Sequence, residues 1–302
     1  MERLSIIIVT YNSADVIRPC IRSIREQLTE GIAAEIIAVD NASVDGTQEI
    51  LRDELRGGVI LLNSVNCGFA AAVNQALGKT SGDIVLLMNP DVVIEGLFFT
   101  NLLKFFGDHP EGCLAGPLVM DITGNRQPSC WRAPSLGTVA LECFLPHSWS
   151  MPMVTLRPDA TCEVEMVSGV CLAMRRRVYE ALGGLDERFF MFYEDADYCR
   201  RARSRGFKVF FVAEVGLRHR VSSSAARNFP EFLRWIYRSR LQFIAKYHGP
   251  RYVLSARLVC FVGVCLKIPA YFVFGVTSGR KDLFSLARSH VSAIPEIFGS
   301  LK

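Results

Sequence analysis

The chain has 302 residues, half of them apolar and 21% charged, with a formal net charge of +4. That length and apolar share exclude a disordered chain and a small disulfide-stapled scaffold, and leave room for one large domain or two modest ones. Its ten cysteines form no CxxC pair and sit mostly among apolar neighbours, which predicts reduced, largely buried thiols in a cytosolic compartment.

The N-terminus, "MERLSIIIVTYN", carries an acid where an export signal wants bases, and its apolar run is short and β-branched; the expectation is a chain that is not exported. From there the sequence alternates short β-rich runs with helical patterns. "LSIIIVT" (4–10), "AEIIAVD" (34–40), "GVILLN" (58–63) and "DIVLLMN" (83–89) predict strands, and residues 14–28, 46–55 and 69–77 predict helices. Pro19 predicts distortion in the early turns of the first helix. This rhythm predicts an α/β domain with a mostly parallel sheet and helices on both faces.

In such sheets ligands bind outside the carboxyl ends of the strands. Here those ends carry Thr10, Tyr11 and Asn12, then Asp40, Asn41, Ala42 and Ser43, then Asn89, Pro90 and Asp91. Any one of them reads equally well as a cap or turn, Ser43 or Asp45 at the helix near Gly46 for instance. Three polar ends on one sheet edge favour a site. Neither GxGxxG nor GxxxxGK followed by Ser or Thr occurs in the chain, so a nucleotide would be held by carboxylates and amides and not by a glycine loop.

Further on, "QPSCWRAPS" and "PHSWSMP" read as loops between two halves, with Trp131 and Arg132 as candidate ligand contacts. "CEVEMVSGVCLAMRR" reads as a strand and turn, Gly169 allowing close backbone approach or a bulge. Gly183-Gly184-Leu185-Asp186 reads as a turn, and "FFMFYEDADYCRRARSRGF" continues as a helix with Glu194 and Asp195 at its start. Carboxylates suit that position through the helix dipole alone, a reading that fits Asp186 and Asp197 best.

Taken together, "SIIIVTYNS", "VDNASVDGT", "NCGFAAAVNQAL", "LLMNPDV", "SGVCLAMRR" and "LGGLDERFFMFYEDADYCRRARSRGF" resemble, in order and spacing, the inverting family 2 glycosyltransferases of GT-A fold, and their bacterial rhamnosyltransferase-like branch in particular. The likeness covers roughly residues 3 to 250. It implies a GT-A domain over 1–250, with a nucleotide-binding half to about 115 and an acceptor and catalytic half from 116, then an apolar helical extension over 251–302.

The same resemblance assigns roles. A nucleotide-diphosphate sugar donor would be held by Thr10, Tyr11, Asn12, Asp40, Asn66, Gly68, Asn89 and Gly169. Asn89-Pro90-Asp91 stands where the family has an Asp-x-Asp type motif; the first acid is missing, so Asp91 becomes the direct ligand of Mg²⁺ or Mn²⁺. His219, in "GLRHRVSSS", matches a family histidine that approaches the metal, although a lone histidine equally serves structure. Asp195 would be the base that deprotonates the acceptor hydroxyl, with Glu194 orienting the acceptor and standing as the second candidate base. The aromatic run before them would exclude water or press on a sugar face, or simply pack.

Between Arg200 and Arg257 fourteen Lys and Arg face two acids, Glu214 and Glu231. "EFLRWIYRSRLQFIAKYHG" alternates aromatic and basic residues, and "RYVLSARLVCFVGVCLKIPAYFVFGVTSG" is the most apolar stretch, interrupted by Arg257, Lys267 and Pro269. Single-stranded nucleic acid would suit the first pattern by stacking and charge. Its position beside an apolar tail favours an anionic membrane surface and a lipid-linked saccharide acceptor, with no nucleic acid partner. The tail then reads as an interfacial helical hairpin or helix pair, with a buried core helix or a true span as alternatives. The expected protein is an inverting, metal-dependent transferase on the cytoplasmic, inner face of the plasma membrane, moving L-rhamnose from dTDP-L-rhamnose to a lipid-linked precursor of cell-surface polysaccharide. A hexosyl or galactofuranosyl donor, or a non-catalytic sugar-nucleotide-binding scaffold, is the alternative; the sequence says nothing of oligomeric state.

Overall fold

A computed structural model describes residues 2–28, 31–110, 113–145, 147–220 and 229–301; residues 221–224 of the "RHRVSSS" stretch and Arg227 of the basic segment lie outside these. In chain order the elements are β1 (Leu4–Thr10), α1 (Ile17–Gln27), β2 (Ala34–Asp40), α2 (Thr47–Glu54), β3 (Val59–Leu62), α3 (Phe69–Leu77), β4 (Ile84–Met88), β5 (Val92–Ile94), α4 (Phe98–Asp108), β6 (Cys113–Met120) and β7 (Cys130–Trp131). There follow α5 (Leu136–Phe144), α6 (His147–Val154), β8 (Thr155–Leu156), β9 (Cys162–Glu163), β10 (Met166–Val167), β11 (Cys171–Arg175), α7 (Arg176–Leu182), α8 (Glu194–Ser204) and β12 (Lys208–His219). The chain ends in α9 (Phe229–His248), α10 (Pro250–Ser278) and α11 (Lys281–Phe298).

Two compact units result. The first comprises Met1–Trp131, Leu156–Glu187 and Glu194–Ser222; the second comprises Arg132–Thr155, Arg188–Tyr193 and Ser223–Lys302. Helix α9 thus groups with the apolar tail and not with the sheet.

The first unit is α/β. Its sheet runs β3-β2-β1-β4-β11-β6-β12-β5, with β9 beside β12. Strands β3, β2, β1 and β4 are parallel, as expected, and β12 is parallel to β6, whereas β11 and β5 run antiparallel to their neighbours. Strands β1 and β4 are buried along their whole length, which is why their sequences are unbroken apolar runs and not alternating ones. Helix α1 begins at Ile17, so Pro19 sits in the first turn, where its missing N–H deprives no carbonyl of a helical partner. The core joins Ile6, Ile8, Ile21, Leu86, Phe98, Phe106, Ala115 and Leu217 across strands and helices.

Two ties fix the loops behind the site. Asn74 of α3 donates to the Leu185 carbonyl (2.9 Å) and accepts from the Leu185 N–H (2.8 Å). A Cβ at Gly184 would stand 2.2 Å from Asn74 Oδ1, so a side chain there would displace the amide that makes both bonds. Arg201 of α8 bonds Asp197 (2.8 Å) and donates to the carbonyls of Leu182 (3.0 Å) and Gly184 (2.8 Å). Asp197 is therefore a structural acid.

The second unit is helical. Val139 and Cys143 of α5 pack with Leu233 and Tyr237 of α9, Cys260 and Val264 of α10, and Ala293 and Ile297 of α11. Of the two stretches expected to form loops, "QPSCWRAPS" contains strand β7 and most of "PHSWSMP" is helix α6, with α5 between them; Ser135 caps α5, accepting from the Thr138 N–H at 3.2 Å while Thr138 Oγ1 accepts from the Ser135 N–H at 2.8 Å. The aromatic run before Glu194 is packing: Phe190 stacks on Trp235 (4.1 Å), Phe192 meets Phe232 edge-on (4.7 Å), and Ser239 Oγ donates to the Met191 carbonyl (2.8 Å). Buried Arg240 donates to Tyr193 Oη (3.0 Å) and pairs with Glu142. These contacts hold Phe192 and Tyr193 at φ of 68° and 67°, a left-handed backbone that side chains normally avoid.

Helix α10 continues through Pro269 for 29 residues; its most apolar 18-residue stretch has mean hydropathy 2.0, and by length and composition alone the helix is long enough to cross a membrane. Its positions 256, 260, 264, 267, 271 and 275 turn inward or are half-buried, while Leu254, Leu258, Val262, Leu266, Val273 and Val276 lie exposed at helical spacing. The two charges that interrupt the apolar stretch serve neighbouring helix ends. Arg257 donates to the carbonyls of Phe298 (3.2 Å) and Gly299 (2.8 Å), capping α11, and Lys267 donates to the Glu142 carbonyl in the last turn of α5 (2.7 Å). Helix carbonyls left without N–H partners attract such cations.

Candidate active site

The parallel register sets Thr10 level with Asp40, so the loops after β1 and β2 open side by side. Asp40 is fully buried, and its carboxylate accepts from Thr10 Oγ1 (2.9 Å), Ser43 Oγ (2.5 Å), Ser43 N–H (2.9 Å) and Gln48 Nε2 (2.9 Å). A carboxylate has about four acceptor positions, and here the chain fills them all. Asp40, one of the residues expected to hold the donor, organises the loop between β2 and α2 with its oxygens. Asn12 and Ala42 take left-handed φ values of 50° and 63°, held by bonds from the Asn12 N–H to Ser43 Oγ (2.8 Å) and from the Val44 N–H to Asn12 Oδ1 (3.0 Å). Tyr11 stands exposed beside them.

The start of α3 joins the same edge. Gly68 precedes the helix at φ 89°, its N–H donating to Asn66 Oδ1 (3.0 Å) and its carbonyl accepting from Asn41 Nδ2 (3.1 Å). Asn63 in turn donates to Asn41 Oδ1 (2.8 Å). The strand-end amides thus fasten the loops to one another.

Asp91 lies between β4 and β5. Antiparallel pairing of β11 with β4, Cys171 opposite Met88, carries Gly169 and Val170 past Asn89, whose N–H donates to the Val170 carbonyl (2.9 Å). Pairing of β12 with β5, His219 opposite Val92, brings the other partner, and the Arg220 N–H donates to the Asp91 carbonyl (3.0 Å). The Asp91 side chain is buried. Its Oδ1 lies 3.3 Å from His219 Nε2, within ion-pair distance, yet receives no hydrogen bond from the described residues. Adjacent ligands on an octahedral ion with bonds of about 2.1 Å stand about 3.0 Å apart, so the donor pair fits a divalent cation. No cluster of three His, Cys, Asp or Glu suited to a metal occurs among the described residues; remaining coordination positions would fall to diphosphate oxygens and water, as hard cations favour.

Glu194 and Asp195 open α8, both in its first turn. Asp195 Oδ2 accepts from the Gly169 N–H (2.8 Å) and Oδ1 from the Ala196 N–H (2.7 Å). Nothing in the chain demands glycine at 169, where a Cβ would sit in ordinary contact with Asp195, 3.4 Å away. Burial raises both carboxyls. Glu194, buried and next to the Asp195 charge, is pushed up to about 8. Asp195 is also raised by burial, but the two amides oppose that. The amides favour charge on Asp195, and Glu194, whose Oε2 has no partner among the described residues, is the better holder of a proton.

The Asp91 loop, the Gly169 turn and the paired carboxylates share one end of the sheet, but sequence reading passed over Gln127, which bonds His219, and Asn74 and Arg201, which fix the loops behind them. Solved structures share this architecture. The mannosyltransferase PcManGT from Pyrobaculum calidifontis, in complex with GDP-Man and Mn²⁺, has a TM-score of 0.59 at 18% identity, covering 98% of this chain and 87% of that one. S. aureus TarS 1-349 in complex with UDP has a TM-score of 0.54 at 18% identity, covering 81% and 70%. The protein is of the GT-A glycosyltransferase class. The Glycosyl transferase family 2 model matches residues 5–183, more than half of the chain, and the chain belongs to that family; Asp195 and His219 lie beyond the matched stretch. The N-acetylglucosaminyl-diphospho-decaprenol L-rhamnosyltransferase of Mycobacterium tuberculosis (strain ATCC 25618 / H37Rv) is 28% identical over 263 residues, 82% of this chain and 85% of that protein. The low-salt glycan biosynthesis hexosyltransferase Agl10 of Haloferax volcanii is 26% identical over 219 residues, 69% and 64% respectively.

Proposed function

We propose that this family 2 glycosyltransferase transfers L-rhamnose, with inversion, from dTDP-L-rhamnose to a lipid-linked saccharide at the cytoplasmic face of a bacterial membrane, in the synthesis of a cell-surface polysaccharide. The observation that carries the donor and acceptor is the likeness to the mycobacterial rhamnosyltransferase across four-fifths of both chains. The likeness to a hexosyltransferase favours a hexosyl donor as the second reading.

In this reading Asp195, kept anionic by the Gly169 and Ala196 amides, takes the proton of the acceptor hydroxyl as that oxygen attacks the anomeric carbon opposite the departing diphosphate. Protonated Glu194 adds no second charge beside it and donates to the acceptor. Asp91 and His219 would hold Mg²⁺ or Mn²⁺, which when bound neutralises charge on the leaving diphosphate. Tyr11, Asn12 and the α3 start line the nucleotide side, shaped by Asp40. The exposed apolar stripe of α10 would rest in the membrane interface, near a lipid-borne acceptor.

A panel of nucleotide sugars, assayed for transfer with and without EDTA, tests this. The expected outcome is turnover of dTDP-L-rhamnose above UDP-hexoses, lost in EDTA; transfer from UDP-galactose with none from dTDP-L-rhamnose reverses the donor.

A further inference from the structure

We propose that Gln127 is a positioning residue: it fixes which nitrogen of His219 carries the proton and so prepares the Asp91–His219 pair for a divalent cation. The inference rests on the metal reading above and adds a residue to it. Gln127 follows β6 by a short turn and lies 92 positions before His219 in the chain, yet bonds it twice. Its Nε2 donates to the His219 backbone carbonyl (3.0 Å), and its Oε1 faces His219 Nδ1 (2.9 Å).

The first bond decides the meaning of the second. A backbone carbonyl only accepts, so the amide NH₂ must point at it, and the amide oxygen must then point at the ring. An amide oxygen also only accepts, so Nδ1 carries the hydrogen. The lone pair of the neutral ring is thereby left on Nε2, which lies 3.3 Å from Asp91 Oδ1. That oxygen receives no hydrogen bond from the described residues. In the neutral ring two lone pairs thus face each other with no donor between them among the described residues, a repulsive arrangement that a cation converts into an attractive one.

Gln127 is itself braced. Its N–H donates to the Val119 carbonyl (2.9 Å), and the preceding turn is closed by Asp121, which accepts from the N–H groups of Thr123 and Asn125 (both 2.8 Å). A partner that holds the second nitrogen of a metal-binding histidine typically changes metal affinity by about 10–100-fold when removed.

The test is Mn²⁺ titration of the full chain in the presence of dTDP, read by the electron paramagnetic resonance of free Mn²⁺, with ¹⁵N shifts of the His219 ring recorded without metal. Wild type should show the Nδ1–H tautomer. Gln127→Leu should lower Mn²⁺ affinity about 10–100-fold and mix the tautomers. Gln127→Glu, which still accepts from Nδ1–H although it no longer donates to the His219 carbonyl, should keep the hydrogen on Nδ1 where Gln127→Leu does not, and its loss there overturns the role of Gln127. Unchanged affinity in Gln127→Leu, with Asp91→Ala weakened, overturns the role of Gln127 and leaves the metal site standing. An Nε2–H tautomer in the wild type overturns it even if the leucine variant fails to fold. Equal Mn²⁺ binding by wild type and Asp91→Ala sinks the metal reading, and this proposal with it.

Discussion

Replacing Glu194 by Gln should flatten the alkaline side of the protein's stability profile. In the folded chain, burial and the neighbouring Asp195 charge raise the Glu194 carboxyl from an ordinary 4.5 to about 8. A carboxyl raised on folding contributes stability that is complete below its unfolded value and is lost as pH climbs toward its folded one, because the native state then binds more protons than the unfolded state. The displacement from 4.5 to about 8, at about 1.36 kcal/mol per pH unit, sets a ceiling on the order of 5 kcal/mol. Sharing of the proton with Asp195 and local relaxation leave only part of that. For a chain of this size each kcal/mol is worth about 2–4 °C. Glutamine has the same shape and does not ionise. Melting temperatures of wild type and Glu194→Gln, measured from pH 5 to pH 9 at constant ionic strength, should diverge, the wild type losing several degrees more; groups common to both cancel in the difference. Parallel curves would refute the buried, proton-holding Glu194 on which the division of the pair rests.

Asp40→Ala should destabilise the first unit by about 1–3 kcal/mol and weaken nucleotide binding, since the Ser43 N–H, Gln48 Nε2 and the Thr10 and Ser43 hydroxyls lose their shared acceptor; calorimetry with dTDP and UDP reads both effects. For the tail, membrane attachment should resist salt, because Arg257 and Lys267 are committed to helix carbonyls and the attraction comes from apolar side chains such as Leu254, Leu258, Leu266 and Phe274, which are 71%, 62%, 58% and 63% exposed. Burying each is worth about 1–2 kcal/mol, so Leu258→Glu with Leu266→Glu should move the protein into the soluble fraction in vesicle sedimentation, and a wild type released by 1 M NaCl would contradict this.

The strands of the nucleotide half were legible because a buried parallel strand writes an unbroken apolar run, and all four expected strands formed within a residue of their predicted ends. The helix at Glu194 was legible from its acidic start. Helices α5 and α6 were not, since Pro, Ser and Trp dominate their surroundings, although Ser135 and Thr138 at capping-box spacing were a usable signal. The partners of Arg257 and Lys267 were not legible for a different reason: a cation in an apolar helix looks the same in sequence whether it reaches a headgroup or a neighbouring helix end. The ties made by Asn74, Gln127 and Arg201 join residues far apart in sequence or serve backbone carbonyls, so no local pattern announces them. The separate fates of Glu194 and Asp195 depend on two backbone N–H groups, one from a turn 26 residues away, which side-chain identity alone does not reveal.

The central claim is that Asp195, and not Glu194, is the base. Its most direct test is single-turnover transfer by Asp195→Asn beside Glu194→Gln, with donor affinity measured on the same samples. The account predicts a fall of about a hundredfold to ten-thousandfold for Asp195→Asn with donor affinity nearly intact, and a smaller loss for Glu194→Gln. Normal turnover in Asp195→Asn, with Glu194→Gln inactive, would contradict it.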